Sequence, residues 1–182
     1  MLICHRRQFI QMGLGALAAS MLPLKAVASI YTRLTGPCTL AFYNTHTHEQ
    51  LEVCYRTGNA YCPDALAKIN HILRDHRCDT VAPIDTHLLD LLYDVRCETE
   101  TTEPFQVISG YRSPATNEML RRNTRGVAKT SYHTKGKAID IRIAGYSTKR
   151  LRNLCIKMRT GGVGYYARSN FVHLDIGPVR RW

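Results

Sequence analysis

Two short segments of alternating apolar and polar residues limit the possible folds of this chain more than any other feature of the sequence. The first is Ala138–Ile143 (AIDIRI), where Asp140 stands between Ile139 and Ile141. Successive side chains of a strand point to opposite faces, so this pattern places the carboxylate on one face and the isoleucines on the other. We therefore predict a strand that buries its isoleucines and presents Asp140 from its opposite face.

The second alternating segment spans residues 171–176 (FVHLDI). Phe171, His173 and Asp175 share one face of the predicted strand, and the aliphatic residues between them take the core side. A histidine and an acid therefore lie on the polar face of this strand as well.

Residues 131–140 (SYHTKGKAID) place His133 seven positions before Asp140, with Gly136 between them. Glycine permits a sharp reversal, so the loop can return His133 to the side of its own strand. A catalytic zinc site keeps three protein ligands, nitrogens and oxygens among them, and leaves the fourth position for water. With His173 from a neighbouring strand, His133 and Asp140 complete such a set.

The wider motif extends this interpretation. SYHTKGKAID, preceded by SGYRSP and followed by a strand histidine in FVHLD, resembles the zinc peptidases of the D-alanyl-D-alanine carboxypeptidase and hedgehog-like fold. RGVAKTSYHTKGKAID, GGVGYYARSNFVHLDIGP and the final RW are similar to periplasmic murein endopeptidases of that fold, over essentially the whole chain. The resemblance implies a Zn²⁺ held by His133, Asp140 and His173. It also implies cleavage of peptidoglycan stem-peptide crosslinks, above all the 3-3 (L,D) bond between two diaminopimelate residues.

The resemblance gives Arg112, in SGYRSP, the role of binding a substrate carboxylate or the carbonyl oxygen as charge develops on it. The general base departs from the family pattern, which has a glutamate three residues or a histidine two residues before the last ligand. Asn170 and Phe171 occupy those positions here, and neither accepts a proton. Asp175 is left either as the base or as a group that orients a ligand.

Other residues near the motif are weaker candidates. Ser131 and Tyr132 are polar groups expected in or beside the site, although Tyr132 could equally pack. Tyr165 and Tyr166 could line the cleft or belong to the core.

Two alternatives to the 3-3 endopeptidase remain open at this point. The same three ligands would serve a D,D-carboxypeptidase, a D,D-endopeptidase or a dipeptidase acting on the same polymer, because bond choice depends on the shape of the cleft. A zinc-bearing module that binds the wall without catalysis is the other, since hedgehog-like relatives keep the metal without evident peptidase function. The missing base favours that module, whereas the complete ligand set and Arg112 oppose it.

Residues 1–28 have a basic start, a mildly apolar middle and small residues at the end, which is typical of an export signal. Arg6 and Arg7, with Phe9 beyond them, resemble the twin-arginine type, whereas His5 and Gln11 depart from it and leave the Sec route open. Cleavage is expected after Ala28. The apolar stretch is shorter than the roughly 20 residues of a spanning helix, so no membrane span is expected in the mature chain.

Removal of the signal takes away three basic residues and no acid, so the formal net charge falls from +11 to +8. A basic protein outside the cytoplasm meets the anionic cell wall and lipid headgroups, which makes nucleic acid an improbable partner. We expect a periplasmic protein whose partners are the export machinery and peptidoglycan stem peptides.

Six cysteines remain in the mature chain, an even number that permits up to three disulfides in an oxidising compartment or, alternatively, free thiols. None has the spacing of a zinc knuckle or redox motif. They are Cys38, Cys54, Cys62, Cys78, Cys97 and Cys155.

Residues 29–182 are long enough for one domain. The periodicity predicts an α+β fold with helices packed on a small, mostly antiparallel sheet that carries the zinc site. His46 and His48 lie in the turn of the first hairpin and are not expected to bind metal. The predicted strands are 38–43, 51–55, 105–109, 138–143, 162–166 and 171–176, and the predicted helices are 63–76, 84–95, 115–123 and 147–158.

Overall fold

The computed structural model of the protein describes residues 35–124 and 127–182. The expected export signal, residues 1–28, lies outside the described residues, as does most of the short leader that follows it. No helix in the described part of the chain has the length and apolar character needed to cross a membrane.

The described residues form eight strands, four α-helices and one 3-10 helix. The four helices and six of the strands lie at or close to the positions that the sequence pattern predicts, whereas the two-residue strands β3 and β8 and the 3-10 helix were not predicted. The strands are β1 (Pro37–Asn44), β2 (Gln50–Thr57), β3 (Ala60–Tyr61), β4 (Phe105–Ser109), β5 (Ala138–Ile143), β6 (Gly162–Tyr166), β7 (Phe171–Asp175) and β8 (Arg180–Arg181). The helices are α1 (Pro63–Ile72), α2 (Thr86–Thr99), α3 (Pro114–Asn123) and α4 (Thr148–Met158), and the 3-10 helix is Tyr132–Lys135.

All the strands belong to one mixed sheet in the order β3-β2-β1-β4-β5-β7-β6-β8. The pairings are antiparallel except for β1 with β4 and β6 with β8, which are parallel. The α+β, mostly antiparallel architecture is therefore confirmed. The sheet is larger than expected because the first hairpin joins it through the parallel pairing of β1 with β4, which the alternation in the sequence did not indicate.

Helices α1, α2 and α4 cover one face of the sheet and bury a single hydrophobic core against it. Ile69 of α1, Leu88 and Leu92 of α2 and Leu151 of α4 are all 0% exposed. The isoleucines of β5 point into this core, as their alternation predicted, and Asp140 lies on the opposite face. The sheet therefore separates the core from the face that carries the polar residues.

Helix α1 ends at Ile72, whereas the periodicity of the sequence predicted an end at His76. The chain turns there because Asp75 bonds outside the helix: its carboxylate accepts the backbone N–H groups of Arg77 at 3.1 Å and Ser113 at 2.9 Å. This buried contact ties the end of α1 to the loop that carries Arg112.

The structure has none of the disulfides that the even cysteine count permitted. All six described cysteines are free thiols, with Cys38 and Cys155 buried and the others at least partly exposed. Burial raises the pKa of the Cys155 thiol to about 12, so this residue behaves as a small core side chain.

Candidate metal centre

The register of β5 and β7 places two of the predicted ligands side by side. Asp140 is the direct partner of His173 across this antiparallel pair, so both side chains leave the sheet on the same face. On the other side of β7, His173 is the partner of Gly164 in β6, which has no side chain. The strand register therefore sets two of the predicted ligands next to each other, with no side chain from β6 beside His173.

The third ligand comes from the 3-10 helix that precedes β5. The hydroxyl of Ser131 accepts the backbone N–H of His133 at 3.3 Å and caps this short helix. Gly136 ends it in the left-handed conformation with φ of 63°, and any side chain there would collide with the carbonyl of Pro83. The sharp reversal expected at Gly136 is present and returns His133 to Asp140.

The ligand atoms of the three residues converge on one point. Nδ1 of His173 lies 2.8 Å from Oδ1 of Asp140, Nε2 of His133 lies 3.3 Å from the same oxygen, and the two nitrogens are 3.2 Å apart. A tetrahedral zinc ion with ligands at about 2.0–2.2 Å separates them by roughly 3.3–3.5 Å. The two distances from His133 are close to this spacing, and the His173–Asp140 distance is shorter, so zinc would fit with a small outward movement of one side chain. No other trio of such side chains in residues 35–124 and 127–182 is close enough to hold an ion.

Each histidine also makes an outer hydrogen bond that fixes which nitrogen faces the centre. Nδ1 of His133 donates to the carbonyl of Gly110 at 2.8 Å, and Nε2 of His173 donates to Oδ2 of Asp175 at 2.9 Å. The remaining nitrogens, Nε2 of His133 and Nδ1 of His173, therefore face the centre. Metal-binding histidines typically show this arrangement, with the second nitrogen held by a carbonyl or carboxylate.

Asp175 is fully buried, and both of its oxygens are occupied. Arg180 forms a two-pronged ion pair with it at 3.0 and 2.6 Å, and the backbone N–H groups of Gly162 and Gly177 donate to Oδ1. Burial alone would raise the pKa of Asp175, but the hydrogen bonds from His173, Arg180 and Gly177 lower it to about 2. Asp175 is therefore ionised and accepts a hydrogen bond from His173, which lies on the same face of the strand.

Electrostatics within the trio favour opposite charges. Burial opposes ionisation of Asp140, yet the two histidines hold the pKa of its carboxyl well below the usual range. Burial likewise opposes a charge on His173, but hydrogen bonds to Asp140 and Asp175 outweigh it and raise its pKa to about 9. The ionised carboxylate of Asp140 between two histidines is a donor set for a divalent cation, which would take the place of the histidine protons on binding.

Arg112 borders the centre from the loop after β4. Its Nη2 atom lies 3.9 Å from Oδ2 of Asp140, and its contacts with Ser109 and Asn117 are long, at 3.4 and 3.5 Å. The buried Nε atom has no hydrogen-bond partner, and burial lowers the pKa of the guanidinium. This arginine thus keeps hydrogen-bonding capacity beside the predicted metal site.

A cavity of about 1060 Å³ opens over the trio. Ser131, Tyr132 and Arg112 line it, as the sequence analysis anticipated, and so does Tyr166. Tyr165 is placed elsewhere: it packs against the hydrophobic core with Arg152 over its ring at 5.0 Å. The alternation of β6 explains the difference, because Tyr165 pairs with core-facing Val172.

The two positions that usually supply a general base, Asn170 and Phe171, have side chains that make other contacts. The amide oxygen of Asn170 accepts a hydrogen bond from Thr148 at 2.9 Å, outside the metal cavity. Phe171 stacks on Tyr166 with ring centroids 4.5 Å apart. Neither of the two family base positions therefore carries a group that could accept a proton, and the ring of Phe171 occupies one of them.

Three convergent ligands with oriented histidines, open to a cavity that also holds an arginine, define the class of metal-dependent hydrolases. Comparison with known proteins gives the family. The sequence model of the family described as "Peptidoglycan L,D-endopeptidase MepK" matches residues 33–182. The chain belongs to this family and is therefore a metallopeptidase that acts as a murein endopeptidase.

Individual relatives agree with the family assignment. Peptidoglycan L,D-endopeptidase MepK of Escherichia coli K12 is 46% identical over 178 residues, which are 98% of this chain and 97% of the relative. The probable peptidoglycan L,D-endopeptidase MepK of Haemophilus influenzae is 40% identical over 179 residues, 98% of this chain and 95% of the relative. No solved structure matches. Membership in this family sets aside the non-catalytic module that the missing base had favoured.

Sequence reasoning did not assign a role to three groups that shape the site. The carbonyl of Gly110 contacts His133, which lies far along the chain, and the guanidinium of Arg180 pairs with Asp175, five residues before it; no motif reveals either contact. Trp182 also lines the cavity. Gly164, in the segment GGVG, could have indicated such a contact, because a glycine inside a strand often marks the close approach of another group.

Proposed function

We propose that this murein endopeptidase holds one Zn²⁺ between His133, Asp140 and His173 and hydrolyses the 3-3 crosslink between two diaminopimelate residues. The observation that carries the metal assignment is the pair of outer hydrogen bonds, which turn one nitrogen of each histidine toward Asp140. A bound zinc ion supplies Lewis-acid chemistry, polarising the scissile carbonyl and lowering the pKa of its water toward about 7.

Arg112 binds the substrate in this proposal. Its Nε atom is buried and unpaired and its other contacts are long, so a substrate oxygen gains a charge-assisted hydrogen bond without displacing a strong partner. The oxygen is either a stem-peptide carboxylate or the scissile carbonyl as negative charge develops on it.

Asp175 acts as a positioning residue for His173 rather than as the general base. Both carboxylate oxygens are already engaged, and the side chain is 0% exposed. A base must reach the proton it removes within hydrogen-bond distance, directly or through one water. The contacts of Asp175 with His173 and Arg180 instead support a role in holding the imidazole ring.

The choice of the 3-3 bond is supported by the names of the relatives, which are L,D-endopeptidases. The same ligands would serve cleavage of a D,D bond, so the bond requires a direct test. Purified enzyme is incubated with disaccharide-peptide dimers that carry either a 3-3 or a 4-3 crosslink, and products are separated by chromatography. We expect conversion of the 3-3 dimer alone, stopped by a chelator and restored by Zn²⁺. Preferred cleavage of the 4-3 dimer would contradict the proposed specificity.

The location follows from the substrate and from residues 1–28. We propose export to the periplasm through a twin-arginine signal containing Arg6 and Arg7, with cleavage after Ala28. Replacing both arginines by lysine should keep the precursor in the cytoplasm if this route is used. Unchanged periplasmic accumulation of the double variant, together with dependence on Sec, would contradict the twin-arginine assignment.

A further inference from the structure

The sequence contains one tryptophan, Trp182, and it forms part of the cavity wall. The centroid of its indole lies 5.3 Å from that of the His173 imidazole. The indole N–H donates to the hydroxyl of Tyr166 at 3.1 Å, and the residue remains 52% exposed. A large aromatic surface thus stands beside a metal ligand and keeps a free side.

Backbone pairing and a missing side chain hold the indole in this position. The N–H of Trp182 donates to the carbonyl of Val163 at 3.2 Å, and its carbonyl accepts the N–H of Tyr165 at 3.0 Å. Gly164 lies between these two residues, and a Cβ atom added there would stand 2.7 Å from the indole. The indole therefore occupies the space that β6 leaves free beside His173.

The indole belongs to a continuous strip of aromatic and guanidinium groups. Phe171 stacks on Tyr166, Tyr166 bonds Trp182, and the guanidinium of Arg180 lies 5.1 Å from the indole and 5.2 Å from the ring of Tyr132. All of these residues line the cavity, whose lining also includes the more polar group Arg112, Thr130 and Ser131. One part of the wall is therefore flat and aromatic, and another is polar.

We propose that the free side of Trp182 is a substrate subsite that packs against the aliphatic stem of a diamino acid residue next to the scissile bond. This inference rests on the proposed function. Methylene groups gain hydrophobic contact on an indole face without losing hydrogen bonds, and the polar centres at both ends of the stem stay free to reach the metal and Arg112. Trp182 contacts the substrate and helps select its class.

Kinetics of three full-length variants test this role. We expect Trp182→Ala to raise KM for the 3-3 dimer about 10-fold, with kcat within about 3-fold and zinc affinity unchanged. Trp182→Phe should recover most of the loss, and Val179→Ala is the matched control because Val179 is 58% exposed in the same segment. A wild-type KM in the alanine variant, or a loss explained entirely by weaker zinc binding or unfolding, would overturn the proposal.

Because Trp182 is the sole tryptophan, its fluorescence gives a readout that needs no catalysis. Zinc-loaded wild-type protein is titrated with the uncrosslinked disaccharide-tripeptide, and separately with the disaccharide-dipeptide that lacks the diamino acid. We expect a saturable change with the first ligand and none with the second. Equal responses or no response to the tripeptide would overturn the subsite. A tripeptide response without cleavage of either dimer would reject the endopeptidase proposal and leave the subsite standing.

Discussion

The two halves of the sheet use the same residue types for opposite purposes. Residues 35–118 contribute β1 to β4 with α1, α2 and the first half of α3, and residues 119–182 contribute the rest of α3, β5 to β8 and α4. The first half holds five histidines and the second half only two, yet both of those two are predicted ligands. The number of histidines therefore says little about where the metal binds.

Burial and outer hydrogen bonds make the difference. His133 and His173 are buried, and a carbonyl or carboxylate holds the outer nitrogen of each. The first-half histidines are exposed, apart from partly buried His76, which stacks on His46 with centroids 3.8 Å apart. Burial and the charge of His46 lower the pKa of His76 to about 4, so His76 stays neutral near pH 7. Among the described residues, no carboxylate completes a metal site with this stacked pair.

Charge divides the halves as sharply. Residues 35–118 carry six basic and twelve acidic side chains, whereas residues 119–182 carry fifteen basic and two acidic ones. The two acids of the second half are Asp140 and Asp175, and both are buried in the site. The described surface of that half is therefore mostly basic, which suits a polymer rich in carboxylates. Some of these groups pair with acids of the first half: Arg121 and Arg122 with Glu118, and Lys137 with Asp85.

The largest expected effect separates the histidines of the two halves. His133→Ala should reduce both zinc binding and hydrolysis to background, because two ligands do not replace a three-ligand site. His76→Ala, the matched control from the first half, should leave both near wild-type values. Zinc content and cleavage of the 3-3 dimer are measured on the same samples, and activity that survives in the metal-free ligand variant would reject the metal mechanism.

Sequence predicted the second half better than the first. The ligands, the reversal at Gly136 and the alternation of β5 and β7 are local patterns, and local patterns determine strand faces. The parallel pairing of β1 with β4 is a long-range contact without a sequence signal, so the size of the sheet could not be predicted. Arg180 lies only five residues after its partner Asp175, but no motif in that short segment indicates that the two side chains pair.

Tyr165 shows a different limit. A strand register that is shifted by one residue exchanges the two faces, and neighbouring tyrosines at 165 and 166 give no hint of which one faces the cavity. Pairing with β7 settles it, since Tyr165 opposes Val172 and Tyr166 opposes Phe171.

The next largest effect concerns Asp175, the outer partner of His173. A positioning role predicts that Asp175→Asn weakens zinc affinity about 10- to 100-fold, because the amide no longer pairs with Arg180. A base role predicts unchanged zinc affinity with a rate loss of about 100-fold or more. Zinc titration against a chelating dye distinguishes the two, with Asp85→Asn in the first half as the control.

Asp75 tests how the first half supports the site through the loop that carries Arg112. Its buried carboxylate anchors the Arg112 loop through Ser113 N–H, and Asp75→Ala should reduce the free energy of unfolding by about 3 kcal/mol because donors lose their partner. Zinc affinity should stay near wild type, whereas KM should rise several-fold as the Arg112 loop loosens. Weaker zinc binding without a change in KM would contradict this division of roles.

The pH dependence of stability gives an independent check of Asp75. Burial would raise its pKa, but hydrogen bonds from Thr116, Ser113 and Arg77 lower it below its usual range. A lowered folded-state pKa means that the stabilisation is complete above the unfolded value of about 3.9 and is lost as pH falls through the folded value. We expect wild type to lose stability below pH 4 more steeply than Asp75→Ala. Parallel curves from chemical denaturation would argue against a charged Asp75.

The smallest effect is expected from surface charge. Lys149 and Lys157 are exposed on α4, and their joint replacement by glutamate should weaken binding to insoluble peptidoglycan about 3-fold at low salt, with a smaller difference at 0.15 M salt. Lys68→Glu changes an exposed lysine of the first half, where acids already predominate, and should have no measurable effect. Because Lys68→Glu changes the net charge by half as much, a loss about half that of the double variant would mean that net charge alone matters. A loss confined to α4 would show that the basic half of the molecule faces the wall.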